Sequence, residues 1–209
     1  MTKLKILQEG QSYTFRSYFE MPYEVDQILA ELGYCFVSDL LDLPKTNRSL
    51  IQFAQLRQDI QDSLKLTLLS SETSRREVII APILLAVARF CQCQIRLEYP
   101  LQVNDWLKGN LDYLLQAQQG FLVVEAKHED LSRGFTQLAV EMIALAQAEE
   151  QAIVYGAVTI GDGWRFGKLE QATHTITQDI LLYSVPSQLE QLLQILIGLI
   201  EAMPYELNR

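Results

Sequence analysis

Residues 110–116 and 121–127 are two apolar stretches separated by a short polar turn around Gln116–Gly120. Between them they carry three charges: Asp112 in the first, Glu125 and Lys127 in the second. Residues two apart in a strand point to the same face. Glu125 and Lys127 therefore share a side, while Val124 and Ala126 face the other. If the two strands pair as neighbours, Asp112 lies beside them. Charges inside a sheet are costly unless they are paired with each other or with a metal. A chain with this segment must build a sheet that tolerates a polar cluster, and that cost marks the cluster as a candidate site.

The remaining pattern indicates what surrounds those strands. The first twenty residues alternate loosely, as in KLKIL and SYTFRSYF, and read as one or two strands. Residues 21–32 read as a short helix with Pro22 in its first turn and Gly33 closing it. Residues 50–69 have apolar positions at helical spacing. Ser71 or Ser74 is placed to cap a helix over 75–91, which is apolar almost all round and hence buried. Pro82 implies a start near Glu77 or a mild kink. Strands follow at 94–99, 110–116 and 121–127, then a helix at 135–149. A hairpin over 153–169 turns at Gly161-Asp162-Gly163. Residues 176–183 offer a further strand, and 187–203 a final apolar helix. The order predicts an α/β fold with a mixed central sheet flanked by helices. Residues 1–70 form an N-terminal strand/helix extension packed on a core of residues 71–209.

Composition narrows the functional classes. The formal net charge is −9, which opposes a generally basic nucleic-acid-binding surface. Local basic residues (Arg75, Arg76, Lys108, Lys127, Arg133, Arg165 and Lys168) could still gather on one face. No apolar run is long enough for a membrane span, and the start of the chain lacks a signal-peptide pattern. These features predict a cytoplasmic protein with no membrane partner. Three cysteines, Cys35, Cys91 and Cys93, and two histidines, His128 and His174, do not supply a zinc knuckle or a disulfide framework.

The charge cluster suits oxygen-ligand metal chemistry. Mg²⁺ (or Mn²⁺) is usually held by one or two carboxylates together with substrate phosphate. Asp112 and Glu125 can supply the carboxylates, and the backbone carbonyl of Ala126 a further oxygen. Lys127 is positioned to orient water or hold a phosphate oxygen, which suits phosphodiester hydrolysis.

These residues resemble the PD-(D/E)xK nuclease superfamily, whose fold is restriction-endonuclease-like. The resemblance rests on GNLDYLL and FLVVEAK, with Asp112 followed by Glu125-Ala126-Lys127 after a hairpin, and covers about residues 75–169. It implies metal binding by Asp112 and Glu125, catalytic assistance from Lys127, and DNA as substrate. It also implies a helix glutamate, matched by Glu77, and a helix glutamine, matched by Gln137. Leu111 stands where the family motif has proline, and Glu141 where a tyrosine often follows the glutamine.

Other residues have simpler readings. His128 reads as an exposed strand-end residue, and Trp164 and Phe166 as packing residues. The final helix reads as core or as a dimer surface. Two functional expectations follow. The first is a Mg²⁺-dependent nuclease. The second is a nuclease-fold binding or scaffold module, as a monomer or homodimer, with little or no catalysis. A hydrolase of smaller phosphate esters is a weaker third.

Overall fold

The computed structural model describes residues 5–117 and 120–202. Gln118 and Gln119 of the expected turn, Lys3 and Leu4 of the first alternating stretch, and Met203 of the final helix lie outside the described residues. Along the chain the helices are α1 (Phe15–Glu20), α2 (Val25–Glu31), α3 (Ala54–Leu66), α4 (Glu72–Arg75), α5 (Ala81–Cys91), α6 (Leu131–Ala148) and α7 (Leu189–Glu201). The strands are β1 (Cys35–Asp39), β2 (Gln94–Gln102), β3 (Lys108–Gln116), β4 (Phe121–Ala126), β5 (Ile153–Thr159), β6 (Gly163–Glu170), β7 (Thr175–Asp179) and β8 (Tyr183–Ser184). They form one mixed sheet in the order β1-β7-β6-β5-β4-β3-β2, with β8 paired on β6. Strands β4 and β5 are parallel, joined by α6, while β3 and β4 are antiparallel. The fold is therefore α/β, with a mixed central sheet flanked by helices.

Two apolar layers cover the sheet. One joins α3, α5 and α7 to Leu122, Val124 and Ala126 of β4. The other joins α1, α2 and α6 to Phe121 and Val123. This alternation along β4 is the period-two signature of a strand buried on both faces. Helix α6 is buried from Gly134 to Ala146, so any polar side chain within it must find its partner inside the protein. No helix among the described residues is long and apolar enough to cross a membrane.

The N-terminal region differs from its sequence pattern. The stretch read as strand forms α1, because Phe15 and Tyr18 lie on one helical face and are both buried. Thr14 and Ser17 form a reciprocal cap at its start. Helix α2 begins at Val25, three residues beyond Pro22, and Gly33 closes it at φ +83°. The short strand β1, unforeseen because it is short and mostly exposed, pairs parallel with β7.

The helix expected over 75–91 starts earlier. Ser71 caps α4 by accepting the Ser74 N–H at 3.1 Å. A π turn over Arg76–Ile80 then leads into α5, with the Ala81 N–H bonded to the Arg76 carbonyl. Pro82 has no N–H to offer the Val78 carbonyl, and the wider turn just before it accommodates that loss without breaking the helix. Trp164 and Phe166 are fully buried, as packing residues should be. The final helix also belongs to the core, with Leu192, Ile195, Leu196 and Leu199 wholly inaccessible.

Candidate active site

The site lies where β3 and β4 part. Their ladder ends at the Tyr113–Val124 pair, so the next pair in register would be Asp112 and Glu125. In place of a ladder bond, Asp112 Oδ2 accepts the Ala126 N–H at 2.9 Å. On the other side, the Lys127 N–H bonds to the Thr159 carbonyl at 2.8 Å, fixing the end of β4 against β5. The opening becomes one wall of a cleft of about 720 Å³, which α1 and α4 help to line.

Glu125 is buried, at 1% exposure. Its Oε1 is in contact with the Lys127 ammonium and accepts from Gln137 Nε2 at 2.7 Å. The same Gln137 nitrogen donates to Glu141 Oε1 at 2.8 Å. Gln137 and Glu141 are one helical turn apart on α6 and so share a face. Glu125 Oε2, Gln137 Oε1 and Glu141 Oε2 are buried without a hydrogen-bond partner. Such atoms are rare in folded proteins and call for a proton, a water or an ion.

Room for the lysine comes from Gly134. A Cβ there would stand 2.8 Å from Val158 Cγ2 and 3.0 Å from Lys127 Cγ, so the helix passes this close only without a side chain. The Lys127 ammonium also lies 5.0 Å from the centre of the Phe19 ring.

Burial pushes the Glu125 carboxyl well above the usual range, and repulsion from Glu141 and Asp112 adds to this, with Lys127 opposing. Burial also raises Asp112, against the Ala126 N–H and the charges of Arg76 and Lys127. Glu141 is pushed up to about 8, first by burial, with the Gln137 hydrogen bond pulling it back and repulsion from Asp112 adding to the rise. Burial alone would lower Lys127, but attraction and hydrogen bonding to Glu125 outweigh it and the net shift is upward. We assign the ion pair to Lys127 and Glu125 and the retained proton to Glu141, because Glu125 touches the ammonium, whereas Glu141 hydrogen-bonds to the Gln137 amide and the Glu125 carboxyl and touches no cation.

A second charge centre adjoins the first. Arg76 Nη1 lies 3.4 Å from Asp112 Oδ1, its Nη2 2.6 Å from Glu98 Oε1, and its Nε 3.3 Å from the Tyr113 hydroxyl. The β2–β3 register sets Glu98 opposite Asp112, between the Leu97–Tyr113 and Tyr99–Leu111 pairs. Glu98, Asp112 and Glu125 thus occupy one row across three neighbouring strands. Glu98 has φ +48° within β2, a left-handed conformation that costs a non-glycine residue on the order of 1–2 kcal/mol.

The structure brings Asp112, Glu125, Lys127 and Gln137 together. It does not bring Glu77 to them. Glu77 is exposed on a separate groove beside Phe53 and Leu56. Adjacent helix positions diverge by about 100°, and since Arg76 faces Asp112, its neighbour faces away. Glu72, four residues before Arg76, lines the cleft instead. The Ala126 N–H is engaged by Asp112, while its side chain packs in the opposite layer. His128 is partly exposed at the cleft, with Nδ1 3.3 Å from Glu129. Sequence reading missed Glu141, Arg76 and Glu98 as site members. The signal for Glu141 was an acid within the apolar run FTQLAVEMIALA.

Several of the basic residues outside the cleft are paired locally. Arg75 pairs with Asp162, Lys108 with Asp105, Arg133 with Asp130 and Lys168 with Glu170. Each charge is largely neutralised where it stands.

Among the described residues no group of three or more His, Cys, Asp or Glu side chains is placed to hold a metal ion. The donor set nevertheless suits Mg²⁺ or Mn²⁺, which needs only one or two carboxylates when water and phosphate complete the shell. Glu125 Oε2 is such an unused oxygen, and the upward shifts of Asp112 and Glu125 mark a place that favours added positive charge. Protein-family models, curated proteins and solved structures give no match to this chain.

Proposed function

We propose that this chain is a divalent-cation-dependent phosphodiester hydrolase, a nuclease acting on DNA and built on a restriction-endonuclease-like core. The observation that carries the reading is the convergence of Asp112, Glu125 and Lys127 on one cleft, with a buried Glu125 oxygen lacking any partner. The order of helix, three strands, helix and strands from Glu72 to Glu170 supports the fold assignment.

Asp112 and Glu125 would hold the cation, with the Ala126 carbonyl as a further donor. A divalent cation there lowers the pKa of bound water and stabilises charge on a reacting phosphate. Lys127 orients the nucleophile or holds a phosphate oxygen. Gln137 fixes Glu125 through its amide hydrogen bond, and α1 closes one side of the cleft. The test is cleavage of plasmid and oligonucleotide DNA in Mg²⁺ and Mn²⁺. Replacing Asp112 or Lys127 by Ala should lower the rate by roughly a hundredfold or more with the thermal melt still cooperative. Unchanged cleavage in both variants overturns the proposal.

A second reading has its own observation. The basic residues are locally neutralised, and Arg76 already sits on Asp112. This favours a nuclease-fold binding module, as a monomer or homodimer, with little catalysis. Calorimetric titration with Mn²⁺ separates the two. Binding that vanishes in Asp112→Asn favours the enzyme, and its absence in the wild type favours the module.

A further inference from the structure

We propose that Arg76 is a phosphate-binding residue of the cleft, held for that task by Glu98 and Tyr113. The inference rests on the site reading above but does not require that hydrolysis follow. Three cations line the cleft besides His128, and they differ in what they can offer. Arg16 is largely exposed and pairs with Glu20 one turn along α1 at 2.9 Å. Lys127 is tied to the buried Glu125 carboxylate and has only the remaining hydrogens of its ammonium to offer. Arg76 is both fixed and reachable, with its side chain 22% exposed.

The fixing is asymmetric. The bond from Nη2 to Glu98, at 2.6 Å, is a strong charge-assisted contact. The contact from Nη1 to Asp112, at 3.4 Å, is the longest that the guanidinium makes. A divalent cation held by Asp112 would compete for the same oxygens and repel Arg76. That weak contact is the one to yield, while Glu98 and Tyr113 keep the group in place. Nη1 would then be free to donate its hydrogens to a phosphate oxygen in the cleft. A guanidinium fork suits a phosphate there, where an ammonium is only a point charge. The left-handed backbone of Glu98 has a matching role, since it lets Glu98 reach Arg76 from a row where an extended strand would continue the ladder.

The experiment measures binding of a short fluorescent DNA oligonucleotide to the full-length chain, in Ca²⁺ and in EDTA, at several salt concentrations. The wild type should bind in Ca²⁺. Arg76→Gln should bind roughly ten- to a hundredfold more weakly, and its salt slope should fall by about one. That slope is a readout that mere loss of packing does not move. Arg76→Lys, which keeps the charge and the fold if Arg76→Gln does not melt cooperatively, should lose several-fold affinity with the slope retained. Equal affinity in the wild type and in a folded Arg76 variant overturns this proposal and leaves the nuclease reading standing. Weakened binding in Arg76→Gln, with no cleavage by the wild type in Mg²⁺ or Mn²⁺, upholds Arg76 and removes the hydrolase. A wild-type chain that binds no oligonucleotide in Ca²⁺ overturns both.

Discussion

The two faces of β4 are built from alternate residues of one six-residue strand, yet they obey different rules. Toward α5 and α7, Leu122, Val124 and Ala126 pack into an apolar layer, with the uncharged Thr159 opposite Ala126. Toward α6, Phe121 and Val123 begin in the same way, and then Glu125 meets Lys127, Gln137 and Glu141. Both faces are equally inaccessible to solvent. The difference lies in the helices, since α6 supplies polar partners where α5 and α7 have none. A buried carboxyl is tolerated where its polar partners are prearranged, as they are for Glu125 here and, through the Leu181 N–H and the Tyr183 hydroxyl, for Asp179 on β7.

The hardest way to break this comparison is to move a charge by one residue. Val124→Asp would put an unpaired carboxylate on the dry face, and it should cost more than about 4 kcal/mol. Urea denaturation, or failure to recover soluble protein, reads that loss. A stable, cooperative Val124→Asp protein would show that the two faces do not differ as described.

The polar face can be sharpened through pH. Glu141 keeps its proton in the fold up to about pH 8, against an ordinary value of 4.5. The folded state therefore binds the extra proton between those values, and the group's contribution to stability falls as pH rises through that window. In EDTA, the wild type should lose stability on the order of 2–4 kcal/mol between pH 5 and pH 8.5. Glu141→Gln should flatten that decline, and chemical denaturation at both pH values checks it. An unchanged slope would remove Glu141 as its source.

A smaller effect comes from Gly134→Ala. The added methyl presses on Val158 and on the Lys127 stem, while the helix itself gains about 1 kcal/mol of propensity. The net loss should be about 1 kcal/mol, with a larger fall in cleavage than in stability. Parallel melts and rate measurements separate the two. The smallest effect should be Arg16→Gln, because both it and its partner Glu20 are solvent-exposed. A change within about 0.5 kcal/mol is expected.

Much of the site was legible because strand alternation is a local property. Glu125 and Lys127 share a face in any strand, and an acid in a neighbouring apolar strand had few places to go. What escaped the sequence depended on long-range register. Nothing near Glu98 announces that it stands opposite Asp112, and Arg76 differs from Arg75 only in the angle at which the helix presents it. Glu77 was misplaced for the same reason, by one step around a helix. Glu141 stood out in the sequence only as a departure from the family pattern, and its place in the site follows from the burial of α6. The N-terminal alternation misled because Phe15 and Tyr18 also fit the helical period, and packing against α6 decided between the two.

The π turn at Arg76–Ile80 makes chain length, and not side-chain chemistry alone, a condition of the cleft. Its extra residue sets the angular phase between the half that carries Glu72 and Arg76 and the half anchored by Ile83, Leu84 and Val87. Deleting a single residue there would restore regular winding and swing the first half by roughly 100°. Arg76 would then rotate off Asp112, even though every side chain now in the cleft remained in the sequence.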